Sequence, residues 1–178
     1  MFLIEDKNFL NKEQKNHIEN VIMGNNFPWY INNTITRDYK NFSTNIKFLS
    51  HCILKRREER EPGEVYNSNE SEFALSVLNS FCKKNKIEVN EVLRISINLT
   101  YNNGFEKCDV HEDHEYDHKQ LLVYLNDTDK KLYTVIKDNK KEVVIAPEKY
   151  KGICFESKPH YHYFPKKNIR VVLIITFK

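Results

Sequence analysis

The sequence predicts an α+β fold in which two N-terminal helices cover one face of an antiparallel β-sandwich or barrel. Three observations predict it. Residues 11–23 and 70–84 carry apolar side chains at helical spacing. From residue 92 the apolar period drops from 3.6 to 2, the repeat of a strand with two unlike faces. The strands that follow are short and separated by turn residues, and a run of helices followed by a run of strands belongs to this architecture. At 178 residues the chain is long enough for one sizeable core and short for two, so one domain over 1–178 is expected. Residues 1–91 would be its helical and supporting segment and 92–178 its β core.

In chain order, Asn11 can cap the first helix, with Gln14 at the reciprocal position of a capping box. Ile18, Val21 and Ile22 form its apolar stripe, which ends at Gly24. Phe27-Pro28-Trp29-Tyr30 is an aromatic cluster about a proline that cannot continue the helix, and it reads as a core plug beneath the sheet. Tyr39 to Leu54 is ambiguous apart from Phe48–Leu54, which reads as a strand. Lys55 to Glu64 mixes charges of both signs around Pro62-Gly63, the composition of a solvated loop. The second helix has Asn69 as its expected cap, Glu72 at the reciprocal position, an apolar stripe of Phe73, Val77, Leu78 and Phe81, and Lys83 and Lys84 at its C-terminal end. Leu93 to Tyr101 then sets Ile95, Ile97, Leu99 and Tyr101 against Arg94, Ser96, Asn98 and Thr100. After the Asn102-Asn103-Gly104 turn, strands are expected at about 108–113, 119–126, 132–137, 142–145, 151–156 and 169–177.

Composition narrows the class. With 28 basic and 25 acidic residues the net charge is +3, a balance that makes no electrostatic case for nucleic acid or a membrane as obligatory partner. Cys52, Cys82, Cys108 and Cys154 are widely spaced with no Cys-x-x-Cys pair, as expected of reduced thiols in an intracellular protein. Glu5 and Asp6 follow three apolar residues too closely for a signal peptide, and no apolar run reaches the length of a membrane span. A soluble, cytoplasmic protein is the expectation.

The chemistry concentrates in His111-Glu112-Asp113. Two residues apart on an extended chain, His111 and Asp113 lie on one face and can close on one ion. His160, in Ser157-Lys158-Pro159-His160, is the candidate third ligand, with Arg170 ten residues later at the start of a strand. Two histidines and one carboxylate on one side of a metal, with the remaining positions open, hold non-haem Fe(II) for dioxygen chemistry. His162 would point the same way as His160 on an extended chain, so a shifted register would exchange the two. The Lys-Pro-His context and the spacing to Arg170 favour His160. His114 and His118 read as solvent-exposed or as supports to the ligands, His17 and His51 as structural, and Cys108 and Cys154 as small core residues.

The order His-x-Asp, Tyr124-Leu125-Asn126, Pro159-His160 and strand-opening Arg170 resembles the Fe(II)- and 2-oxoglutarate-dependent dioxygenase superfamily. It looks nearest to the small members found in phage and viral genomes, and more distantly to prolyl hydroxylases. The match is detailed from about Leu93 onward and weaker through Phe27–Tyr30 and Leu49-Ser50-His51. The resemblance implies a double-stranded β-helix, the cupin-like jelly roll, as the core over 92–178. It implies that His111, Asp113 and His160 bind iron, and that Arg170, helped by Tyr124 and with Tyr101 as a further candidate, takes the far carboxylate of 2-oxoglutarate. The residue types suit this. Neutral imidazoles and a carboxylate match Fe(II), and a permanently charged planar fork matches a carboxylate as lysine does not.

The expected activity is therefore hydroxylation with Fe(II), 2-oxoglutarate and O2, giving succinate and CO2. A protein or peptide side chain is the first substrate expectation and a small metabolite the next. The branch that repairs alkylated nucleobases has a second arginine six residues after the first; Thr176 stands there, which disfavours nucleic acid. Two other classes stay open: a non-catalytic metal-binding jelly-roll module with an assembly role, and a cupin-like enzyme using dioxygen directly. The loop at 55–64 and the region Phe105–Asp109 are candidates to cover the pocket mouth.

Overall fold

The change of period at residue 92 becomes the centre of the molecule. In a computed structural model, which describes residues 1–32, 46–63, 66–139 and 141–178, ten strands and two α-helices are laid out. They are β1 (Leu3–Asp6), α1 (Lys12–His17), β2 (Tyr30–Asn32), β3 (Phe48–Leu54), α2 (Ser71–Asn85), β4 (Val92–Thr100), β5 (Lys119–Tyr124), β6 (Thr134–Asp138), β7 (Lys141–Ile145), β8 (Gly152–Glu156), β9 (His160–His162) and β10 (Arg170–Phe177). A seven-stranded antiparallel sheet runs β1-β8-β5-β10-β4-β3-β2, and a three-stranded sheet runs β7-β6-β9. The segment 106–111 lies along the free side of β9 through bridges at Lys107–Tyr163 and His111–His160.

The alternation in β4 sorts two environments. Ile95, Ile97 and Leu99, with Val171, Leu173, Ile175 and Phe177 of β10, join Phe73, Val77, Leu78 and Phe81 of α2 in the core between the large sheet and the helices. The opposite face meets the small sheet through a second cluster: Leu122, Tyr124, Ile136, Ile145, Ile153, Phe155 and Val172. Helix packing closes on Gly152, where an added Cβ would stand 2.8 Å from ring atoms of both Phe9 and Phe81.

Several expectations are met. Asn11 and Gln14 form the capping box, with Gln14 N donating to Asn11 Oδ1 at 2.8 Å and Asn11 N donating to Gln14 Oε1 at 2.9 Å. The strand at Phe48–Leu54 and five of the six later strands are present. Cys108 and Cys154 are buried, while His17 pairs with Glu70 and His51 bonds Pro28 and Ser68.

Others are corrected. The first helix turns into a π-helix over Ile18–Ile22. Glu70, not Asn69, holds the cap position of α2, and the Glu70 N–H is taken by Ser68 Oγ at 3.1 Å. Residues 108–113 form bridges rather than a continuous strand, whereas β1, β2 and β9 are strands too short to show a period. Tyr30 sits 62% exposed in β2, so the aromatic cluster is a core plug only through Phe27 and Trp29. Tyr39, in the ambiguous stretch, lies outside the described residues, as does Glu64. The rest of the charged loop is pinned: Arg60 Nε donates to Lys55 O at 2.9 Å, and Arg57–Glu59 forms a 3-10 turn.

Candidate active site

The two bridges beside β9 bring the predicted ligands together. His111 N donates to His160 O at 3.0 Å and His160 N to His111 O at 2.9 Å, which sets the two residues directly opposite each other with ring centroids 4.6 Å apart. Each ring is fixed the same way: His111 Nδ1 lies 2.9 Å from Asp109 O, and His160 Nδ1 lies 3.0 Å from Lys158 O. A carbonyl only accepts, so both Nδ1 atoms carry the proton and both Nε2 lone pairs are turned away from the backbone. That is the usual tautomer of a ligating histidine.

Asp113 completes the set. Arg94 Nη1 donates to its Oδ1 at 2.9 Å and Arg56 Nη2 to the same oxygen at 3.4 Å, while Oδ2 stands 3.6 Å from His160 Nε2. Burial alone would raise the Asp113 pKa, but Arg94, His160, His111 and Arg56 together hold its carboxyl well below the usual range. Burial, reinforced by His111, lowers His160 to about 4. Both side chains are thus in the protonation state a metal requires. Among the described residues no three His, Cys, Asp or Glu side chains are drawn in tightly enough to make a ready-formed metal cage. Donors bearing lone pairs repel one another until a cation lies between them. The His111 and His160 rings neighbour each other and His160 Nε2 lies 3.6 Å from Asp113 Oδ2, and two imidazoles with one carboxylate are a donor set whose chemistry fits Fe(II).

Arg170, at the start of β10, lies on the face of the large sheet that meets the small sheet. Asn126 holds it there, its Oδ1 accepting from Val171 N at 2.8 Å and its Nδ2 donating to Ile169 O at 2.9 Å. Arg170 is 2% exposed and its Nε has no hydrogen-bond partner; Nη2 donates to Thr134 Oγ1 at 3.2 Å, and Tyr124 OH donates to that same hydroxyl at 2.8 Å. Burial lowers the Arg170 pKa, and no carboxylate among the described residues offsets it. Burial likewise raises Tyr124.

Of the sequence candidates, His111, Asp113 and His160 come together, and Arg170 and Tyr124 come together beside Thr134. Tyr101 is not with them. Arg170 pairs with Thr100 across β10 and β4, so Tyr101, one residue on, turns to the opposite face and packs on the helix-side core. His162 stands opposite Thr134 with Nδ1 3.2 Å from Cys108 Sγ, away from the position occupied by His160. His114 and His118 are buried, not solvent-exposed. His114 Nε2 lies 2.8 Å from Thr176 Oγ1, and His118 Nδ1 lies 2.9 Å from both Tyr116 O and Ser157 Oγ.

Sequence reasoning missed Thr134, which opens its strand without any motif. It also missed Arg94 and Arg56. Arg94 had a signal in the polar alternation of β4, whose polar face proves to be the interior one. Arg56 sat in a charge run read as solvated.

No family model matches the sequence, and no curated protein matches it. Solved structures do. An oxidoreductase of the 2OG-Fe(II) oxygenase family from Burkholderia pseudomallei is similar at a TM-score of 0.75 with 15% identity, over 99% of this chain and 84% of that one. A prolyl hydroxylase from Trichoplax adhaerens, in complex with a hypoxia inducible factor oxygen degradation domain peptide fragment, is similar at 0.65 with 13% identity, over 98% and 82%. A viral collagen prolyl hydroxylase from Paramecium Bursaria Chlorella virus-1, in complex with 2OG, is similar at 0.58 with 14% identity, over 99% and 95%. The chain has the oxygenase jelly-roll fold. In this double-stranded β-helix the large sheet carries Arg170 and Tyr124, the small sheet carries His160 and Thr134, and the extended segment beside the small sheet carries His111.

Proposed function

We propose that the protein is an Fe(II)- and 2-oxoglutarate-dependent oxygenase that hydroxylates its substrate. The observation that carries this reading is the buried Arg170 guanidinium, without a carboxylate partner among the described residues and with its Nε unpaired, inside the same barrel as the His111, Asp113 and His160 donors. A buried charge without a counter-ion is expensive, and a site that binds a dianion relieves it.

The chain's own residues divide the task. His111 Nε2, His160 Nε2 and Asp113 Oδ2 would hold Fe(II). Arg94 and Arg56 fix Asp113 by Oδ1, so that Oδ2 faces inward. Arg170 and Tyr124 receive the far carboxylate of 2-oxoglutarate. Leu122, Phe155 and Val172 line the interior with apolar surface that excludes water. With Fe(II) bound, oxidation of 2-oxoglutarate by O2 to succinate and CO2 supplies the oxidising power for C–H hydroxylation.

A protein or peptide side chain is the substrate class we place first, with a small metabolite second. Two of the similar structures are prolyl hydroxylases, one of them holding a peptide fragment. Thr176, where a nucleobase-repair enzyme would have an arginine, is fully buried and engaged with His114, which supports disfavouring nucleic acid. Among the described residues no helix is long and apolar enough to cross a membrane.

The test is Fe(II)-dependent conversion of 2-oxoglutarate to succinate, followed by NMR with and without candidate peptides. Asp113→Ala should abolish it, and an undiminished rate in that variant would remove the assignment. Metal-dependent binding of N-oxalylglycine without turnover on any substrate would instead favour a non-catalytic module.

A further inference from the structure

His162 is left unused by the function proposed above, although it stands inside the site. It lies on the same face of β9 as His160, two residues along, so the two side chains are offset by about 6.6 Å. It is paired directly with Thr134 on β6, which places the two Cβ atoms about 5 Å apart. Thr134 Oγ1 is the atom on which Arg170 Nη2 and Tyr124 OH both converge. His162 therefore stands opposite the residue whose hydroxyl the arginine contacts, offset from the candidate metal ligand by close to the reach of a five-carbon diacid chain.

Two buried polar atoms in this corner have no partner: His162 Nε2 and Arg170 Nε. Buried donors are paired in a completed structure, and a carboxylate offers about four lone-pair sites, enough for several donors at once. The other side of the imidazole meets a thiol. Cys108 Sγ lies 3.2 Å from His162 Nδ1 and also accepts from His162 N at 3.2 Å. Burial pushes the Cys108 thiol up to about 11, so it keeps its hydrogen. If the thiol hydrogen points to Nδ1, the ring's own hydrogen is on Nε2.

We propose that His162 is a further co-substrate-binding residue: its Nε2–H donates to the far carboxylate of 2-oxoglutarate beside Arg170, and Cys108 holds the ring in the tautomer that does so. The inference rests on the oxygenase reading and adds a donor to it.

The experiment is calorimetric titration of the full chain loaded with Mn(II), using two ligands. One is 2-oxoglutarate. The other is 2-oxovalerate, which has the chelating keto acid but no far carboxylate. His162→Phe should weaken 2-oxoglutarate about tenfold to a hundredfold, the range for losing a hydrogen bond to a charged group, and leave 2-oxovalerate within about twofold. His162→Gln, whose amide N–H reaches the place of Nε2, should restore 2-oxoglutarate to within about threefold of the wild type. Unchanged 2-oxoglutarate binding in His162→Phe would overturn the proposal. So would equal loss of both ligands, or a Gln variant no better than Phe. If His162→Phe does not fold, His162→Asn takes its place, because its shorter amide cannot reach the Nε2 position. If the wild-type protein binds neither ligand with Mn(II), the oxygenase reading itself falls and this proposal with it.

Discussion

Replacing Arg170 with methionine should cost the ligand-free protein little or no stability and leave it deaf to 2-oxoglutarate. The guanidinium is 2% exposed, donates to Thr134 at 3.2 Å, and interacts with Tyr124, its carbon 5.6 Å from that ring's centroid. Exchanging a buried ionic group for a hydrophobe of similar volume gains about 1–4 kcal/mol. Against this stands the cation–π contact, about 2 kcal/mol when desolvated. Thr134 keeps its bond from Tyr124, so no acceptor is orphaned. The net runs from about −1 to +2 kcal/mol, so Arg170→Met should melt between about 4 °C below and about 8 °C above the wild type. Differential scanning fluorimetry of metal-free protein reads this directly. Repeating it with Mn(II) and N-oxalylglycine reads the lost response, because a ligand that binds only the folded state raises the wild-type transition. A variant that melts more than about 4 °C below the wild type would show that Arg170 is held by a structural partner. A variant that still responds to N-oxalylglycine would show that the carboxylate binds elsewhere. Either result refutes the reasoning.

Three further outcomes follow from the packing and the titratable groups. Gly152→Ala should destabilise by about 1–3 kcal/mol in urea unfolding, because the new methyl meets Phe9 and Phe81, whose rings already pack edge-on at 4.9 Å. Burial would raise the Asp6 pKa, but hydrogen bonds from Lys84, Asn8 and Asn85 overcome it and leave the pKa lowered. A depressed folded-state carboxyl stabilises above its unfolded value and loses that contribution as pH falls through the folded one. The wild-type advantage over Asp6→Asn, about 1 kcal/mol at pH 6, should therefore shrink toward zero below about pH 4 in melts run across that range. Iodoacetamide at pH 8 should label Cys52, which is exposed, before Cys82, Cys108 and Cys154, whose thiols burial pushes up to about 11, 11 and 12; peptide mapping of native protein gives the order.

The sequence carried the strands long enough to show a period. Leu93 to Tyr101 alternates over a full strand, and the structure has β4 there, with Ile95, Ile97 and Leu99 on the helix side as the pattern requires. The capping box at Asn11 was equally legible, because it is a contact between residues three apart. The missed elements were those whose existence depends on a distant partner. Strand β1 pairs with β8, about 150 residues away, and β9 is three residues held between β6 and the 106–111 segment. Neither is long enough to declare itself.

The same division runs through the site. His111, Asp113, His160, Tyr124 and Arg170 could be singled out as candidates from motif order, because residue type and local spacing suffice to propose them. Which of His160 and His162 faces Asp113, that Tyr101 turns away while Thr134 turns inward, and that Arg94 reaches the Asp113 carboxylate were decided by strand register. Register is set by hydrogen bonds between segments far apart in the chain. A slip of one residue sends a side chain to the other face, so only the assembled sheets could tell a pocket residue from its neighbour.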